Sequence, residues 1–141
     1  MTDMADGRTP AVRAVEKAGR LAAAAVALAI VTLSVVPPGL RPVAAPQAVE
    51  HAAIFLLLGL ASGLAAPGRW RLQAAAAILF TAGVELIQVL APGRHARWSD
   101  LAVDTLGALA GIALAALLLR LAGRPGPAGR PARRRQVSAR D

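Results

Sequence analysis

Four apolar runs, Leu21 to Pro38, Gln47 to Ala66, Leu72 to Leu90 and Leu101 to Leu119, set the terms for how this 141-residue chain folds. Each comes near the roughly 20 residues that cross ~30 Å of hydrocarbon at ~1.5 Å per residue. Between them stand "PPGLRP", "APGRWR" and "APGRHARWSD", whose Pro-Gly pairs mark turns. Loops this short make consecutive helices antiparallel neighbours. The expected fold is all-α, an integral membrane bundle of four transmembrane helices with short loops. A basic N-terminal arm (1–20) and a basic disordered tail (123–141) flank the membrane domain (21–122).

Composition excludes most soluble classes. Hydrophobic residues make up 56% of the chain, yet there are only two Phe, two Trp and no Tyr. Soluble cores lean on aromatics and interleave apolar residues with charge, whereas here charge retreats to the ends and a few loops. The absence of Cys removes disulfides, thiolate metal sites and a cysteine nucleophile.

Positive charge sets the expected orientation. Arg8, Arg13, Lys17 and Arg20 precede the first run, and Arg69 and Arg71 lie between the second and third. Arg120, Arg124, Arg130, Arg133, Arg134, Arg135 and Arg140 follow the fourth. Four crossings put all of these on one side and leave Arg41, Arg94 and Arg97 on the other. Both termini are therefore expected in the cytoplasm, with the chain multi-pass in a bacterial cytoplasmic (inner) membrane. Trp70 and Trp98 then fall at opposite surfaces, where an indole prefers to sit. A secretory leader cleaved near Val43, Ala44 and Ala45 is the competing reading, but Pro46 disfavours cleavage there. The basic tail has no stacking aromatics or recognition helix, so membrane lipids with anionic headgroups, not nucleic acid, are the expected partners.

Polar residues concentrate near the surface opposite the termini. Thr81, Glu85 and Gln88 follow i, i+4, i+7 on one stripe of the third helix. On the fourth helix, Asp100, Asp104, Gly107 and Gly111 do the same, and the glycines continue below the carboxylates as a helix-packing surface that admits close approach. Gly59 and Gly63 give the second helix a similar surface, and its outer end carries Glu50 and His51. Each of these has a plain explanation. Asp100 follows Ser99 at a helix start, where capping suffices; Arg97 suits a headgroup contact, and Glu50 and His95 sit near water. Glu85 lies more than a turn inside, where a carboxylate is costly unless paired, protonated or wet. A structural ion pair of Arg94 with Glu85 or Asp104 is the simplest account of it, and a functional site is the other.

The segments "EHAAIFLLLGL" and "VELIQVLAPGRHARWSDLAVDTLGALAG" resemble the VanZ-like family of small bacterial membrane proteins over residues 47–120. The family pattern is a His opening one helix, Glu-x-x-Gln closing the next, a Gly-Arg loop, then Asp, three residues, Asn or Asp, and a Gly-rich helix. His51, Glu85, Gln88, Arg94, Asp100, Asp104, Gly107 and Gly111 fall on it. Many members carry Asp-Lys just before the His, where this chain has Gln47 and Ala48. The resemblance implies a cell-envelope role near the outer face of the cytoplasmic membrane.

Three functions are consistent with these residues. In the first, Arg94 meets the phosphate or carboxylate of an anionic lipid or lipid-linked envelope precursor, and Glu85, Gln88, Asp100, Asp104 and His51 shape the pocket. In the second, His51, Glu85 or Asp104 is the catalytic acid or base of a hydrolase or transferase. In the third, the polar set is internal glue in a scaffold. No metal-binding spacing such as HExxH occurs, so no metal and no cofactor are expected. Oligomeric state is open.

Overall fold

The computed structural model describes residues 9–36, 40, 45–90 and 98–123. Four helices account for nearly all of them: α1 (Pro10–Val35), α2 (Gln47–Ala65), α3 (Trp70–Leu90) and α4 (Trp98–Ala122). All four are long and apolar enough to cross a membrane, and there is no strand among the described residues. The chain is a multi-pass membrane protein.

Helix α1 starts eleven residues before the apolar run, inside the segment read as an arm. Its start is capped: Thr9 accepts a hydrogen bond from the Val12 N–H at 3.4 Å, and Pro10 takes the first helical position, where its missing N–H costs nothing. Residues 1–8 and the tail 124–141 lie outside the described residues.

Small residues determine which helices pack closest. Helix α2 lies most intimately against α4, and the two run parallel. Gln47 meets Asp100 and His51 meets Asp104, both pairs 53 residues apart, while Gly63 faces Ala115 further down. A Cβ on Gly59 would fall on the Ala108 carbonyl, and one on Gly111 would fall on the Leu56 carbonyl. Backbones this close gain van der Waals contact where lipid supplies no hydrophobic drive between helices.

Helix α1 runs antiparallel to α2, with Gly19 against Ala61, Leu64 and Ala65. The turn from α2 into α3 uses Gly68 at φ +83°, a conformation that costs a residue without Cβ nothing. Gln73, one turn into α3, donates to the Ser62 and Ala66 carbonyls, each at 2.8 Å, and so ends α2. The chain's two phenylalanines, Phe55 and Phe80, pack together with ring centroids 6.3 Å apart. Around them Ile30, Leu58, Val84 and Ala108 complete the core.

The two ends of the bundle differ in charge. Lys17, Arg20, Arg69, Arg71 and Arg120 belong to the end where α1 and α3 begin and α2 and α4 finish. The end where α2 and α4 begin carries Glu50, Glu85, Asp100 and Asp104, and no Lys or Arg among the described residues. Trp70 and Trp98, 58% and 88% exposed, open α3 and α4 at opposite ends.

Candidate functional site

Helix periodicity turns the polar residues of three helices toward one interior at the acidic end. On α3, Thr81, Val84, Glu85 and Gln88 are all buried, while Ala82, Gly83, Leu86 and Val89 face outward. On α4, Asp104 is fully buried one turn below Asp100, and on α2 His51 is buried one turn into the helix.

His51 and Asp104 form the centre. His51 Nδ1 lies 3.0 Å from Asp104 Oδ1, with both side chains almost completely withdrawn from the surface. A carboxylate accepting from Nδ1 selects the tautomer whose lone pair is on Nε2, so the imidazole is oriented as a base or a hydrogen-bond acceptor. The second carboxylate oxygen, Oδ2, is buried and has no hydrogen-bond partner among the described residues. Two lesser polar links flank the pair. Gln47 donates to Asp100 Oδ2 at 3.1 Å nearer the surface, and the Thr81 and Thr105 hydroxyls meet at 3.1 Å across α3 and α4.

Beside this pair is a cavity of about 160 Å³, lined by Ser34 of α1, Glu50, His51 and Phe55 of α2, and Val84 and Gln88 of α3. Pockets that hold drug-sized ligands run to roughly 300–1,000 Å³, so this space takes one small group of a ligand and not the whole of it. Helices α2 and α4 both direct their N-termini to this end, where unsatisfied N–H groups and the macrodipole favour negative charge. Glu50 is partly committed, since its Oε1 accepts from the Ala45 N–H at 2.9 Å as the chain enters α2.

Of the residues singled out in the sequence, His51, Gln88, Glu85, Asp100 and Asp104 come to this one end. Asp100 sits in the first turn of α4, receiving Gln47 and Ser99. Gly59, Gly63, Gly107 and Gly111 lie on the α2–α4 contact. Arg94, His95 and Arg97, and with them any Arg94 ion pair to Glu85 or Asp104, lie outside the described residues. The spacing of polar residues does not point to two further participants. Ser34 lines the cavity from α1, and its only sequence signal is a hydroxyl within an apolar run. Gln47 appeared only as a departure from the Asp-Lys pattern, yet it bonds the Asp100 carboxylate. Among the described residues no three His, Cys, Asp or Glu side chains gather closely enough to hold a metal ion.

A family model described as VanZ/LLP1 matches residues 13–119, which takes in all four helices and not only the last three. No curated protein matches the chain. No solved structure matches it.

Proposed function

Since this chain belongs to the VanZ/LLP1 family of envelope membrane proteins, we propose that it binds the polar headgroup of an anionic lipid or lipid-linked envelope precursor in the cavity beside His51. The observation that carries this reading is the convergence of Ser34, Glu50, His51 and Gln88, from three separate helices, on one small cavity otherwise lined by Ile30, Leu33, Ile54, Phe55 and Val84. Membrane insertion does not require such a convergence. By the positive-inside rule the basic end is cytoplasmic, so the cavity faces outward in the inner membrane.

The charge balance defines what the ligand needs. Glu50, Glu85, Asp100 and Asp104 crowd this end, so an anionic group requires a cation as well as the two helix N-termini. Arg94, in the segment joining α3 to α4, is the proposed source, meeting phosphate or carboxylate with its planar fork. The affected phenotype is tolerance of glycopeptides or of envelope stress. Native mass spectrometry of the purified protein tests the reading: wild type retains an isoprenoid phosphate and Arg94→Ala loses it. Equal retention by both proteins removes Arg94 as the anchor.

The His51–Asp104 pair favours a second reading, acid–base chemistry on the bound group. An imidazole held by a carboxylate is the arrangement that abstracts a proton from an attacking hydroxyl or water. Turnover of a lipid phosphate or amide by wild type but not by His51→Gln distinguishes this reading from binding alone.

A further inference from the structure

The basic end holds a second feature, separate from the cavity beside His51. Helix α3 is joined to α4 through Thr81 and Thr105 and to the end of α2 through Gln73. Between those links Ala74 of α3 and Ala113 and Ala116 of α4 are too short to close the gap between the two helices. A groove of about 680 Å³ remains, floored by Gly63 and Ile112 and walled by Leu109 and Leu117. Trp70 and Arg120 close it at the basic end.

We propose that this groove is a binding site for an anionic phospholipid of the leaflet at the basic end, with an acyl chain between α3 and α4 and the phosphate on Arg120. The occupant follows from the surroundings and the charge. The groove is apolar and lies within membrane-spanning helices, so it gains nothing from water and forfeits dispersion contacts if left empty. Acyl chains are the solvent of that surface. Its mouth is cationic: Arg120 is exposed in the last turn of α4, and the Arg71 guanidinium lies 5.3 Å from the centre of the Trp70 ring. Trp70 itself is 58% exposed, at the level where an indole meets headgroups. A phosphate there gains charge-assisted hydrogen bonds from a guanidinium. A second copy of the chain would bring its own Arg120 or Arg71 to an already cationic mouth.

The test titrates phosphatidylglycerol and, separately, phosphatidylethanolamine into the full chain in detergent and reads bound lipid by native mass spectrometry. Wild type is expected to prefer phosphatidylglycerol. Arg120→Ala should cost about fivefold in that preference, the worth of one basic side chain near an anionic headgroup. Ala116→Phe fills the groove and leaves the arginines in place, so it should lower retention of both lipids. Ala113→Phe, on the same wall, repeats the test should Ala116→Phe fail to fold. Unchanged binding in Arg120→Ala or in a folded groove-filling variant overturns the proposal. So does a dimer in wild type that the groove-filling variant abolishes.

Discussion

His51 on α2 and Asp104 on α4, separated by 53 residues, meet at 3.0 Å inside the bundle because their helices run parallel and in register. Replacing one partner strands the other in a medium that solvates it poorly. Interhelical polar contacts in membranes contribute about 0.6–2 kcal/mol, so Asp104→Ala should destabilise by an amount in that range. Asp104→Asn retains an acceptor and should cost less. Thermal unfolding in detergent checks the order, and a double-mutant cycle with His51→Leu should return a coupling of the same size.

Glycine substitutions should divide by location. Gly59→Ala places a methyl group on the Ala108 carbonyl and requires α2 and α4 to separate, with an expected cost of about 1–3 kcal/mol. Gly83 on α3 has nothing within 4 Å of a built Cβ, so Gly83→Ala should be neutral or stabilising by up to about 1 kcal/mol. Melting temperatures of the two variants measure the difference.

The four spans were legible in the sequence because length and hydropathy alone define a membrane helix, and the buried stripe Thr81, Glu85, Gln88 because helical spacing puts those residues on one face. The early start of α1 was not, since Arg13, Glu16, Lys17 and Arg20 dilute the hydropathy of its first turns. The Thr9-Pro10 cap was the signal to read. Nor was the partner of His51, because periodicity gives a face to each helix but not the neighbour it meets. In the structure Gly111 packs on Gly59, an offset of 52 that carries His51 to within one residue of Asp104, but the sequence does not say which glycine of one helix meets which of the other.

Topology is the next expectation. Reporter fusions at Pro67 and Asp141 should give cytoplasmic signals, and fusions at Gln47 and Pro92 should give external ones. An external signal from Pro67 would reverse the bundle and turn the cavity beside His51 toward the cytoplasm.

Glu85 separates a working site from internal glue. If it only balances Arg94, Glu85→Leu alone should destabilise the bundle and the double variant Glu85→Leu, Arg94→Leu should recover, since a buried pair often gains little over good packing. If both serve a ligand, the folded double variant should fail to rescue a deletion strain under glycopeptide or envelope stress. Full rescue would leave scaffolding as the function.

Filling the cavity beside His51 asks whether a headgroup binds there. Ser34 lines it, and its hydroxyl donates to the Ile30 carbonyl of its own helix at 2.7 Å, so Ser34→Leu blocks the space at the cost of a bond within α1. The measurement is titration of an isoprenoid phosphate into wild type and Ser34→Leu in detergent, with thermal stability as the control for folding. The headgroup account predicts saturable binding to wild type and a loss of about tenfold or more in the folded variant, the equivalent of ~1.4 kcal/mol. Equal affinity for the two proteins, with Ser34→Leu as stable as wild type, would contradict it.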